Sequence, residues 1–347
     1  MSRISNIYYR LCRYAIHKPN FSFLLKVLKG LIGDNNMYQF MVRVETYFLS
    51  PKIFHSNYRP DSRVIVVTFD DRRKHEGLAD NLRAIVSIYR FCRLNNICFK
   101  VYYDSPFTLQ RYLEPNEYNW LCDKSMAYSD IQSKDYICLS YRDFFGLNSD
   151  SIQKYFLNSI VHTKDLNVIR LYTNICCYDE FYQTGFSQLF KPSKELQYQI
   201  DEQLNIIGCP YISVSFRFAQ LLGDLKDSFG EPLPASERES LISLCLNAVD
   251  NLHIKESQFK KILLTSDSTT FIDCAQKRFG FIYTVPGAIG HVGNDGSDAV
   301  VMKTFLDMYM ISNASKVFMI RTEQMFRSGF AKRAAMVTNA PFEEIIL

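Results

Sequence analysis

Short apolar runs alternate with longer segments of helical period from Arg63 onward. Val64–Phe69 is a continuous β-branched run, the pattern of a strand covered on both faces. After Gly77, the residues Leu82, Ile85, Val86, Ile88, Tyr89 and Cys92 fall on one helical stripe, and Asn95-Asn96 ends it. Residues 97–103 read as a second strand, which completes a β-loop-α-β unit with a right-handed parallel crossover. Residues 136–139 and 168–172 read as further strands, 151–161 and 178–190 as helices, and 113–116 as a loop.

The second half repeats the theme. Pro192-Ser193-Lys194 marks a hinge, with Ser193 placed to cap a helix running to about Ile206. Gly208-Cys209-Pro210 breaks the chain before a strand at 211–216. Strands are also expected at 261–265, 281–285 and 315–320. The helix opening at Ser236 should turn Leu241, Ile242, Leu244, Cys245 and Val249 inward. The next helix carries Phe271, Ile272 and Ala275, and the helix at 298–312 buries Val300, Val301, Phe305, Met308 and Tyr309. Residues 286–297 hold four glycines and form a loop long enough to suspect function. The pattern therefore predicts two α/β domains facing a cleft, 61–192 and 193–347, after an N-terminal extension at 1–60.

Composition supports two cores, with 347 residues of which 47% are hydrophobic. A net charge of only +4 argues against nucleic acid as the main partner. The ten cysteines include no CxxC pair and read as buried thiols of a reducing cytosol. The six histidines lack ligand spacing, so no metal site is expected. No secretory signal is visible, and no apolar run reaches the ~20 residues that span a bilayer. Six basic residues, Arg3 to Lys29, precede the first acid, Asp34, and are interleaved with Tyr, Phe, Leu and Ile. Residues 1–33 could lie on an anionic membrane surface, or pack as an ordinary helical pair on the first domain. The expected location is the cytoplasm, peripheral on the inner face of the plasma membrane.

The candidate chemistry follows strand ends, where open parallel sheets bind ligands. Arg217 closes the strand at 211–216, and its planar donor fork suits a diphosphate; the alternative is a pairing with an acid such as Asp224. Ser328-Gly329-Phe330 opens an Ala-rich helix, where free amides, a hydroxyl and the charge of Arg327 favour an anion and Phe330 could stack on a base. Asp267 and Ser268 follow the strand at 261–265 and could either cap a helix or accept hydrogen bonds from a base or ribose. His291 and Asp295 sit in the glycine-bearing loop and could touch the same ligand. In the first domain, Gly77 to Asn81 follows a charged loop whose Asp71 and Glu76 are candidate general bases. The absence of Gly-x-Gly-x-x-Gly and of a Walker A lysine loop argues against a dehydrogenase or a kinase.

These blocks resemble the GT-B fucosyltransferase superfamily, which includes the nodulation, core α-1,6-, protein O- and α-1,2-fucosyltransferases. Gly77-Leu78-Ala79-Asp80-Asn81 is similar to the family's glycine-rich loop. Ser215-Phe216-Arg217 with Asp224 is similar to its His-x-Arg block, with Ser215 standing where the family usually has His. Lys303 to Ser312, followed by Ser328-Gly329-Phe330 and Ala334-Ala335, is similar to its closing motif. The resemblance implies a GT-B-like pair of Rossmann-like domains and an enzyme that uses GDP-fucose as donor, inverts the anomeric centre and needs no cofactor or metal. It implies that Arg217 holds the β-phosphate, that Ser328 and Gly329 contact phosphates, that Phe330 packs on guanine, and that Asp267 lies by the nucleoside. The acceptor would be a glycan or lipid-linked glycan. A GDP-mannose transferase, or a non-catalytic nucleotide-sugar or glycan-binding protein, is the alternative.

Overall fold

The computed structural model describes residues 62–71, 77–128, 136–141, 167–224, 231–293 and 295–347, with a few isolated positions besides. The basic extension, Glu76 and most of the helix expected at 151–161 lie outside the described residues. The chain divides into two compact units, and Gly77–Ala79 and Gln110–Glu114 belong to the second.

The first unit is built on β1 (Val64–Phe69), α1 (Leu78–Leu94) and β2 (Cys98–Tyr103); the short β3 (Leu113–Pro115), whose first two residues belong to the second unit, and then α2 (Lys124–Ala127) follow in the chain. Then β4 (Tyr136–Tyr141), β5 (Val168–Thr173) and α3 (Tyr182–Leu189) complete the first unit, and β6 (Phe190–Pro192) of the second unit comes next. The first unit's main sheet is parallel throughout, in the order β2-β1-β5-β4. All six residues of β1 and of β5 are buried, as a strand covered on both faces requires. The predicted stripe of α1 is inward at every position from Leu82 to Cys92 named above, and Asn96 ends the helical run in the left-handed region at φ 51°. Residues 113–116 were expected to be loop. Instead β3 pairs with β6 in a two-stranded sheet, and each strand ends in a proline, tolerated because both strands are edges with one side unpaired.

In the second unit, β6 is followed by α4 (Lys194–Ile207). Ser193 Oγ accepts from the Leu196 N–H at 3.3 Å, and Gly208 closes the helix at φ 66°. The remaining elements are β7 (Tyr211–Phe216), α5 (Ala235–Lys255), β8 (Lys261–Ser266), α6 (Thr269–Arg278), β9 (Ile282–Tyr283), α7 (Asp298–Ser312), β10 (Val317–Arg321), α8 (Phe330–Thr338) and β11 (Phe342–Ile346). The sheet runs β11-β10-β7-β8-β9, and every pair is parallel. Its first strand is therefore central. The chain builds outward through β8 and β9, then crosses back to lay down β10 and β11 on the other side. The connections leaving β7 and β10 diverge, which opens a crevice at the carboxyl ends of those two strands.

Three expectations are corrected here. Leu244 is 45% exposed, because the inward stripe of α5 runs through Leu241, Cys245, Val249 and Leu252, and Leu244 falls beside it. The strand expected at 281–285 shrinks to two residues. The edge strand β11 was not anticipated at all. Among the described residues, no helix is long and apolar enough to cross a membrane.

Candidate functional site

Arg217 is the first residue beyond β7, and Asp267 the first beyond β8. The register pairs Phe216 with Ser266, so the two residues emerge side by side. Arg217 Nη1 lies 3.1 Å from Asp267 Oδ2. The Phe218 N–H donates to Asp267 Oδ1 at 2.8 Å and the Ala219 N–H to Oδ2 at 2.7 Å, with Ala219 in the left-handed region at φ 53°. The carboxylate thus pins the loop that leaves β7 and, with it, the guanidinium. Burial raises the Asp267 carboxyl above its ordinary value, against the pull of Arg217 and the two amides.

The acid beside Arg217 is therefore Asp267 rather than Asp224. Asp224 Oδ2 instead accepts from Ser268 Oγ at 2.7 Å and from the Thr270 N–H at 2.9 Å. Ser268 is buried and caps α6 by accepting from the Phe271 N–H at 3.1 Å. Its hydroxyl is thus occupied within the fold. Ser215 Oγ lies 2.6 Å from Thr265 Oγ1, its register partner on β8, so this hydroxyl is bonded inside the sheet.

On the other side of the crevice, β10 ends at Arg321 and a loop leads to α8. Ser328 Oγ accepts from the Phe330 N–H at 3.2 Å. Gly329 is exposed, and a Cβ there would meet nothing within 4 Å, which leaves the start of α8 sterically open. Arg327 is turned to Glu344 on β11: its Nη2 lies 2.7 Å and its Nε 3.2 Å from Oε2. Arg321 Nε donates to Oε1 of the same carboxylate at 2.7 Å.

In solved structures the same architecture recurs. NodZ α-1,6-fucosyltransferase soaked with GDP-fucose matches with a TM-score of 0.51 at 16% identity, over 80% of this chain and 93% of that one. POFUT1 in complex with GDP matches with a TM-score of 0.51 at 11% identity, over 83% and 99%. The chain shares the fold of these fucosyltransferases. NodZ from Bradyrhizobium gives 0.50 at 15% identity, over 79% and 92%. No protein-family model and no curated protein matches the sequence.

The remaining predicted residues of this fucosyltransferase fold are dispersed. Gly77 and His291, far apart in the chain, come together in the second unit: a Cβ on Gly77 would lie 3.4 Å from His291 Nε2. His291 Nδ1 accepts from the Gly293 N–H at 3.2 Å, so in the neutral ring the proton sits on Nε2, beside Gly77. Asn81 is buried in the first turn of α1 and donates to the Tyr103 hydroxyl at 2.8 Å. Asp71 is exposed, and Glu76 lies outside the described residues.

Sequence reasoning missed a charged cluster in the first unit. Asp70 is buried at the end of β1, where Arg170 forms an ion pair with it and the hydroxyls of Tyr128 and Tyr172 both donate to it, the latter at 2.8 Å. The Arg170 guanidinium sits over both tyrosine rings, 4.3 and 4.7 Å from their centroids. The available signal was an arginine inside the otherwise apolar run at 168–172, which a strand covered on both faces can hold only with a buried partner.

Proposed function

We propose that this chain is a glycosyltransferase that moves fucose from GDP-fucose to a hydroxyl of a glycan. The observation that carries this reading is that Arg217 follows β7 and the Ser328 turn follows β10, the two strands that flank the crevice of the second unit's sheet. A guanidinium on one side and, on the other, a helix start left sterically open at Gly329 make a cradle for a diphosphate leaving group. Charge that grows on the β-phosphate as the sugar departs is met by Arg217, which Asp267 already orients. The reading is supported by a fold shared with NodZ soaked with GDP-fucose and with POFUT1 in complex with GDP. Direct attack by the acceptor hydroxyl gives inversion at the anomeric carbon, with Asp71 or Glu76 as the base and no metal needed. A lipid-linked glycan of surface-polysaccharide or O-antigen assembly fits the basic, aromatic-rich residues 1–33, which would hold the protein on the inner face of the plasma membrane.

The test is GDP release from GDP-fucose in the presence of a glycan acceptor panel, with GDP-mannose as the competing donor. Turnover with GDP-fucose, lost at least about 100-fold in Arg217→Ala, is expected from the removal of a group that meets transition-state charge. One observation favours a second reading, a nucleotide-sugar-binding protein without catalysis: Ser215 replaces the usual His and is bonded within the sheet. Tight GDP binding with no transfer to any acceptor would select it.

A further inference from the structure

The crevice of the second unit lies between β7 and β10, whereas Glu344 stands on β11, beyond β10 on the opposite side. The two oxygens of Glu344 are held by different arginines. Arg321 belongs to β10 and is 12% exposed, so it fixes the carboxylate in place. Arg327 belongs to the loop just before Ser328 and is 72% exposed.

We propose that Glu344 is a positioning residue that parks Arg327 on the edge strand, away from the crevice, and gives it up to a diphosphate entering beside Ser328. An exposed ion pair contributes little free energy, so the exchange of partners is easy. A diphosphate offers more charge and more oxygens to the guanidinium fork than one carboxylate already shared with Arg321. Glu344 therefore weakens the affinity of the empty site while keeping Arg327 next to the turn it serves. The inference rests on the nucleotide reading of that turn.

The test is calorimetric titration of GDP into the full-length chain and its Glu344→Gln, Arg327→Ala and doubly substituted forms. Freed from Glu344, Arg327 should bind GDP about two- to five-fold more tightly in Glu344→Gln, the scale of one exposed ion pair. Arg327→Ala should bind more weakly than the parent, and Glu344→Gln should have no further effect in that background. Glu344→Asp, shorter by one methylene, serves if Glu344→Gln does not fold, and should also tighten binding. Unchanged or weaker GDP binding on removal of Glu344 overturns the proposal, as does an equal gain when Arg327 is absent. If the parent chain binds no GDP, the nucleotide reading itself fails and this inference with it. If the parent binds and Glu344→Gln matches it, only this inference fails.

Discussion

Arg170 meets Asp70 in the first unit with side chains 0% and 4% exposed; Arg217 meets Asp267 in the second at 17% and 6%. In both, the aspartate is the first residue after a strand of a parallel sheet. The surroundings then diverge. Asp70 also takes two tyrosine hydroxyls, and both rings cover the guanidinium, so the whole cluster is enclosed. Asp267 takes two backbone amides, which leaves its arginine at the surface of the crevice. The same two residue types thus make a closed strut in one place and an aimed cation in the other. Burial and the identity of the extra donors decide which.

The comparison can be broken most sharply at the closed pair. Arg170→Met strands a buried carboxylate, and the unfolding free energy from urea melts should fall by about 3–5 kcal/mol. A loss under about 1 kcal/mol would mean that the cluster is not a strut. Arg217→Ala should cost less, about 1–2 kcal/mol, because Arg217 is 17% exposed and water can reach the place it leaves, even though turnover is lost. Acidity tests the second pair. Because the folded Asp267 carboxyl is raised above its ordinary 3.8, the folded chain holds that proton more tightly than the unfolded chain. Its contribution to stability is greatest below 3.8 and declines as pH rises through the raised value. The stability of the parent relative to Asp267→Asn should therefore fall with rising pH in that window. A rise instead would mean that Arg217 and the amides outweigh burial. The smallest effect is expected at Ser215→Ala, about 0.5–1.5 kcal/mol from one lost hydroxyl bond, with GDP affinity unchanged.

Most of the regular elements were legible because their signals are local. The β-branched run at 64–69 and the uniform helical stripe from Leu82 to Cys92 specify their own structure. Ser193 and Gly208 mark both ends of α4 by chemistry that acts within a few residues. Of the candidate residues, Arg217 could be placed just past a strand end, and Ser328 just before a helix, from the sequence alone. The partners of Arg217 and Arg170 could not, since Asp267 and Asp70 are brought to them by sheet register across 50 and 100 residues. β11 escaped notice because Phe342-Glu-Glu-Ile-Ile carries two adjacent acids and no alternation. It is held as a parallel edge by β10 and by the arginines on Glu344. Loop expectation at 113–116 failed for the converse reason, since pairing with β6 outweighed local preferences that favour a turn.

The central position of β7 also sets a schedule for synthesis. The strand leaves the ribosome first among those of its sheet, and β8 can cover one edge soon afterwards. Its other edge waits for β10, about a hundred residues later, roughly 5–20 s at about 5–20 residues per second. Through that interval the backbone beside Ile212, Val214 and Phe216 offers an unpaired apolar edge, the kind that recruits stray strands. Slower translation between residues 217 and 317 would lengthen that exposure.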